Sequence, residues 1–321
     1  MRALVTGGAG YIGSVVSNHL LDEGHEVIII DNLSTGMIDN IPKKAEFLKL
    51  DISDTKKLNK FFSKKKIDIV FHFAAFINNE ESLKYPKKYF KNNFEKGKIF
   101  LENCIKNNIN KFIYSSTAAV YGNKKFQVTE KEKLNPMSPY PKSKLKLEKF
   151  LMNEKKNISC VILRYFNVAG ADTKLRCGFN VKKGYNLILN LCAASLKKKI
   201  FKINGNNYKT KDGTTIRDYI HVQDLARIHL LAANQVLNKK IFKIFNCGYG
   251  NGYSVMEIFK KFNSISDSKI KFKIGKRRDS DIIISIADPK ELIKFTKWKP
   301  KFNNLSLIVK SSLIWYKKKI G

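Results

Sequence analysis

Tyr140 and Lys144, in the run Tyr140-Pro141-Lys142-Ser143-Lys144, stand four residues apart and so stack on one face if the segment is helical. A nearby ammonium favours phenolate, which brings a tyrosine's pKa towards the working pH. A tyrosine tuned in this way can take a proton from a hydroxyl while hydride leaves the same carbon. The spacing alone is weak, because lysine is abundant enough to produce it by chance. Its place in the fold has to decide.

A second set of residues opens the chain. Val5-Thr6-Gly7-Gly8-Ala9-Gly10-Tyr11-Ile12-Gly13 satisfies G-x-G-x-x-G through Gly8, Gly10 and Gly13, and G-x-x-G-x-x-G through Gly7, Gly10 and Gly13. Such glycines let a strand turn sharply, let backbone approach a pyrophosphate, and let the next helix pack against the strand. The phosphates then sit at the positive end of a helix beginning near Tyr11. Asp31 ends the next apolar run. Its carboxylate can accept from an adenosine ribose and would repel a 2′-phosphate, which favours NAD over NADP. Asp51-Ile52 ends the third run on the same side, polar on one residue and apolar on the next, as gripping an adenine requires. Read alone, Asp51 reads first as a turn or N-cap residue, since Ser53 and Asp54 follow it before a helix.

These residues need a parallel sheet to bring them together. Short apolar runs at Arg2–Thr6, Val27–Ile30, Phe47–Leu50, Ile69–Phe73, Phe112–Ser115 and Cys160–Leu163 read as strands. Tyr11–Asp22, Thr55–Phe62, Pro86–Asn107 and Ser138–Asn153 read as the helices between them. The alternation predicts an α/β fold: a Rossmann-type doubly wound parallel sheet over 1–168, then a smaller C-terminal α/β substrate domain over 169–321. Whether the segment near 214–237 packs back on the first domain is left open. Loops rich in Gly, Asn and Lys fall at Thr173–Gly184 and Asn204–Thr215.

The chain has 321 residues, 43% of them hydrophobic and 12% aromatic, which suffices for a core and argues against disorder. No apolar stretch approaches the roughly 18 residues of a membrane span, and Met1-Arg2 leads into the first strand without a secretory signal, so a cytoplasmic location is expected. The five cysteines show no paired or C-x-x-C spacing, and the five histidines no metal-binding pattern. The net charge of +34 comes mostly from lysine, with only seven arginines among 61 basic residues. Lysine spread beside asparagine and isoleucine suggests A/T-rich codon bias, not a nucleic-acid surface, which would cluster its cations and use arginine. In such a chain each arginine is more apt than usual to need its planar guanidinium.

Thr6–Gly13, Asp31-Asn32-Leu33-Ser34, His72-Phe73-Ala74-Ala75, Ser115–Gly122, Tyr140–Lys144, Arg164-Tyr165-Phe166-Asn167 and Arg217–Val222 together resemble the extended short-chain dehydrogenase/reductases. Within these they resemble the UDP-glucose 4-epimerase family, over essentially the whole chain. The resemblance implies tightly held NAD, a UDP-sugar substrate and reversible epimerisation at sugar C4, with Tyr140 as base, Lys144 beside it, and Thr117 on the 4-oxygen. By position it implies that Gly7, Gly10, Tyr11, Ile12, Gly13, Asp31, Asn32, Ser34, Asp51 and Ile52 hold the cofactor. Phe73, Ala74, Ala75 and Ile77 would line it, and Asn92 and Phe166 would touch it, together with Tyr140 and Lys144. A lysine that some members carry near the cofactor is Ile77 here. For the UDP-sugar the matching positions are Thr117, Tyr140, Asn167, Asn186, Leu187, Arg217, Arg278 and Asp281. Arg217 and Arg278 would suit a diphosphate clamp. Four residues after Asp281, Ser285 matches a position where tyrosine restricts the pocket to plain hexoses, although Ser280 replaces the family's glycine in the run before it. The family is commonly a homodimer, through the two helices placed here near Pro86–Asn107 and Ser138–Asn153.

Sugar-nucleotide 4,6-dehydratases and decarboxylases resemble the chain too, but need an acid near the threonine. Ala118 and Ala119 follow Thr117 instead. A non-catalytic NAD-sensing module would have no use for Thr117, Tyr140 and Lys144 together. A lysine-coated nucleic-acid binder would show steep salt dependence.

Overall fold

The computed structural model describes residues 1–181, 186–278 and 281–320. Its strands are β1 (Arg2–Thr6), β2 (Glu26–Asp31), β3 (Glu46–Lys49), β4 (Ile69–His72), β5 (Lys111–Thr117), β6 (Ser159–Tyr165), β7 (Asn167–Ala169), β8 (Phe201–Asn204), β9 (Ile216–His221), β10 (Phe242–Cys247), β11 (Gly252–Ser254), β12 (Phe272–Gly275) and β13 (Ile284–Ser285). Its helices are α1 (Tyr11–Asp22), α2 (Thr55–Phe62), α3 (Asn79–Lys84), α4 (Pro86–Tyr89), α5 (Gly97–Lys106), α6 (Pro139–Asn153), α7 (Leu187–Leu196), α8 (Val222–Asn238), α9 (Val255–Ile265), α10 (Lys290–Thr296) and α11 (Leu305–Ile320).

Seven parallel strands form the main sheet in the order β10-β6-β5-β4-β1-β2-β3. The central strands are apolar on both faces because helices cover both. Ala3, Val5, Ile29, Phe71 and Val161 pack against α1 and α8, through Val15, Val16, Leu225 and Ile228. Their neighbours in sequence, Leu4, Ile28, Val70 and Ile162, face α2, α5 and α6, through Leu58, Phe100, Leu101 and Leu147. The strand order reverses between β1 and β4, where a doubly wound sheet opens a crevice at its carboxyl edge.

All six expected strands and four expected helices of the first half are present, with small changes at their ends. The helix expected over Pro86–Asn107 is continuous but not uniform. Between α4 and α5 the chain forms a π-helical stretch, Phe90–Lys96. Such turns are rare and often sit at functional sites. This one holds Asn93, whose buried amide accepts from Phe76 N at 2.8 Å and donates to Phe76 O and Ser143 Oγ at 2.9 and 3.1 Å.

The main sheet draws on chain beyond residue 168. α8 packs on α1, and β10 pairs in parallel with β6, from Phe242 opposite Cys160 to Cys247 opposite Tyr165. The remaining elements form a smaller lobe. There β9 pairs with β7, β11 and β13, β8 pairs with β12, and α7, α9 and α11 pack together. Among the described residues no helix is long and apolar enough to cross a membrane.

Candidate active site

The turn after β1 is built on glycine for steric reasons. Gly7 adopts φ +71°, and a Cβ there would lie 2.6 Å from Ala74 N. A Cβ on Gly13 would run into the Gly7 carbonyl. Backbone from β1 and β4 therefore closes to a distance that a side chain would forbid, and Gly10 caps the N-terminus of α1. Asp31 secures this loop: its Oδ2 accepts from Ala9 N at 3.1 Å and its Oδ1 from Leu33 N at 2.8 Å. Burial pushes its carboxyl pKa up, and the two N–H donors oppose the rise.

Asp51 is tied more tightly. Its Oδ2 receives Lys96 Nζ at 2.6 Å and Asn32 Nδ2 at 3.0 Å, while Ser53 donates backbone and hydroxyl to Oδ1. Burial works against ionisation, but the hydrogen bonds from Lys96, Ser53 and Asn32 outweigh it and hold the carboxyl well below the usual range. The N-cap of α2 is Asp54, so Asp51 is a turn residue on the cavity wall.

The reactive end lies across the sheet. β5 ends at Thr117, whose Oγ1 accepts from Ala119 N at 3.2 Å. Ser138 and Pro139 start α6 and put Tyr140 in its first turn, within hydrogen-bonding reach of the Thr117 hydroxyl. One turn on, the Lys144 ammonium donates to Ser115 O at 2.7 Å and lies 5.1 Å from the Tyr114 ring centre. His72, at the end of β4, bonds Thr6 Oγ1 through Nδ1 at 2.7 Å; burial, helped by the Lys144 charge, lowers its pKa to about 3.

The electrostatics differ from the expectation for Tyr140. Burial pushes the phenol up to about 12, opposed by the Thr117 hydrogen bond. Burial also lowers Lys144 to about 7, opposed by the charge of Glu148. The ammonium that was to acidify the tyrosine is itself weakened by the same dry surroundings, so desolvation dominates both groups.

One cavity of about 450 Å³ joins these pieces along the carboxyl edge of β1 to β6. Gly7, Gly10, Tyr11, Ile12, Gly13, Asp31, Asn32 and Ser34 line one end with Asp51 and Ile52. Phe73, Ala74, Ala75, Ile77 and Asn92 line its middle, and Thr117, Tyr140, Lys144, Phe166 and Asn167 the other end. Asn186 borders it as well, capping α7 by accepting from Leu189 N at 2.8 Å.

Leu187, Arg217, Arg278, Asp281 and Ser285 are not on this wall. Arg217 on β9 donates to the carbonyls of Ile216 and Ile283, and Ser285 on β13 lies opposite it in register. Asp281 accepts from Tyr208 at 2.8 Å, and Arg278 pairs with Glu80 at 2.9 Å. Asp279 and Ser280, which complete that run, lie outside the described residues. Leu187 begins α7, next to Asn186.

Sequence reasoning missed several wall residues. Tyr165 and Phe179 are two, and Phe179 stacks on Tyr11 with ring centres 3.7 Å apart. The segment carrying Phe179 is fastened by Arg176, which reaches both Asp22 and Asp172 with paired N–H donors at 2.8–2.9 Å. The scarcity of arginine was a usable signal here.

Residues 3–248 match the NAD dependent epimerase/dehydratase family. The chain belongs to that family. It is 37% identical to a UDP-glucose 4-epimerase of Lactobacillus helveticus, across 99% of this chain and 97% of the relative. It superposes with a TM-score of 0.95 on the UDP-glucose 4-epimerase of Stenotrophomonas maltophila, solved with NAD and formylated UDP-arabinopyranose, at 31% identity over 99% of this chain and 98% of that one. The UDP-Glc/GlcNAc 4-epimerase of Campylobacter jejuni is 37% identical with a TM-score of 0.85, covering 99% of both chains. As a member of an NAD-dependent family, the chain has a cavity that fits the cofactor: the glycine turn admits a ligand against bare backbone, and Asp31 puts a carboxyl group on the same wall.

Proposed function

We propose that the protein epimerises UDP-hexoses reversibly at C4, interconverting UDP-glucose and UDP-galactose and also accepting the N-acetylated pair. What carries this reading is the Thr117–Tyr140–Lys144 cluster at the far end of the cavity that begins at the glycine turn. NAD bound along that cavity would supply the hydride acceptor, and then its donor, for the chemistry at C4. Tyr140 takes the proton of the 4-hydroxyl, and Thr117, within reach of it, steadies the 4-oxygen. Lys144, fixed by the Ser115 carbonyl, supplies the positive charge that favours phenolate. Asn167 and Asn186 on the cavity wall, with Leu187 next to Asn186, help seat the nucleotide; Arg217, Arg278 and Asp281 lie off that wall, and the two arginines would have to reach towards it to hold the diphosphate. For Arg278 to do so, it exchanges its surface partner Glu80 for phosphate. The oxidised sugar would turn over in the cavity before hydride returned to its other face.

No acid adjoins Thr117, since Ala118 and Ala119 come next, so loss of water across C5 and C6 lacks its proton donors. The reading extends to a cytoplasmic homodimer, supported by five free, buried thiols and by the apolar residues Ile99 on α5 and Met152 on α6 left on the surface. The test is to incubate the purified protein with UDP-galactose, adding no cofactor, and follow the sugar by NMR. UDP-glucose appearing to equilibrium supports the proposal; unchanged sugar in protein that contains NAD refutes it.

A further inference from the structure

Glu148 is a buried charge with no part in that reaction. It lies one turn after Lys144 and two turns after Tyr140 on α6, and its side chain is 0% exposed. Arg164 of β6 grips it with two donors, Nε to Oε1 at 3.1 Å and Nη2 to Oε2 at 2.6 Å. The Ser116 hydroxyl donates to the same Oε1. Behind Arg164 the bonds continue, with Nη1 donating to the Tyr121 hydroxyl at 2.8 Å and Tyr121 donating to Asn246 at 2.8 Å. Two adjacent residues of β5 thus divide the charges of α6. Ser115 holds Lys144 through its carbonyl, and Ser116 holds Glu148 through its hydroxyl.

A buried ion pair is weak evidence of a stabilising role, because well-packed apolar side chains often do as well. Its place beside the catalytic lysine gives it another use. We propose that Glu148, paired with Arg164 and one helical turn from Lys144, is a positioning residue whose negative charge acts on the Lys144 ammonium and, through it, on the proton uptake of Tyr140. The groups facing Glu148 are Ser116, Arg164, Tyr121, Tyr114 and Cys160; those facing Lys144 are the Ser115 carbonyl, the Tyr114 ring and neutral His72. Burial pulls Lys144 towards neutrality, and among these groups Glu148 supplies the opposing negative charge. The proposal rests on Tyr140 being the base, and the experiment separates the two.

Glu148→Gln is titrated in two ways. The first is the ultraviolet phenolate signal of Tyr140, taken as the difference from the same protein carrying Tyr140→Phe. The second is kcat against pH. Both midpoints should move to higher pH, and kcat at neutral pH should fall about tenfold for each unit moved, with NAD content kept. Glu148→Asp, which retains the charge, should leave both midpoints near the parent's. If the Gln variant misfolds because Arg164 is left unpaired, Glu148→Gln with Arg164→Met removes both charges and should move both midpoints in the same direction by a smaller amount. Unmoved midpoints in a folded, NAD-containing variant overturn the proposal. A shifted Tyr140 titration in a parent without epimerase activity would uphold the coupling and sink the functional reading alone.

Discussion

Tyr140, half-buried, and Lys144, buried one turn later, share one face of α6, and desolvation moves them in opposite directions, the phenol up to about 12 and the ammonium down to about 7. Each shift disfavours charge, so the pair is poised for a partner that restores it. A positively charged ring nearby would favour the phenolate, which then becomes neutral as it takes the proton of a substrate hydroxyl.

Replacing Tyr140 with phenylalanine removes the proton acceptor but keeps the ring packed edge-on to Tyr89. The variant is expected to fold and retain NAD while kcat falls by about 10²–10⁴. Single-turnover epimerisation measures this, and near-parental turnover would remove Tyr140 from the role of base.

Asp31→Ala takes away both the partner of a ribose and the acceptor for Ala9 and Leu33 N–H. Hydrogen bonds to an ionised group are worth about 1.5–3 kcal/mol each, so NAD should bind at least about tenfold more weakly, with NADP no longer rejected. Calorimetric titration of stripped protein with each cofactor checks this, and an unchanged preference would mean that the acid serves only the loop.

Lys144→Met has a signature in stability. In the unfolded chain this lysine keeps its proton to about 10.5, whereas in the folded chain it releases it near 7. Between those values the unfolded state binds more protons, so its contribution to wild-type stability rises with pH. The Met variant lacks that dependence. Its advantage in urea denaturation should be largest below about pH 7 and shrink as pH climbs towards 10.5. A gap that stays constant across this window would mean that the ammonium is not desolvated.

Ser285 is half-buried on β13 opposite Arg217, and we propose that it is the small residue beside the hexose C2 substituent. The protein is expected to turn over both UDP-galactose and UDP-N-acetylgalactosamine, with Ser285→Tyr losing the second and largely keeping the first. Rejection by size needs a clash, which a bulky ring produces and a hydroxymethyl does not. Competition kinetics with the two sugars decide it.

The sheet was readable because strands buried on both faces are apolar throughout, as in Ile69-Val70-Phe71, and because Gly7 follows the end of its strand while Asp31 and Thr117 close theirs. β10 was harder. Phe242-Lys243-Ile244-Phe245-Asn246-Cys247 carries a charge and an amide, and it joins β6 from far along the chain, a long-range pairing that local pattern does not encode. The π-helical stretch at Phe90–Lys96 has no marker in residue type, since its backbone is decided by what Asn93 and Lys96 bond. Glu148 did leave a trace: a carboxylate one turn beyond Lys144, between the buried residues Leu147 and Leu151, has to have a partner. The Arg217–Asp281 side of the site was named by resemblance alone, and there the structure shows pairings among protein groups.

The central claim is hydride transfer at C4 within a closed site, and UDP-galactose carrying deuterium at C4 tests it most directly. Incubated with the purified protein in ordinary water and no added cofactor, it should yield UDP-glucose that retains the deuterium at C4. Product that has exchanged this label for solvent hydrogen would contradict it.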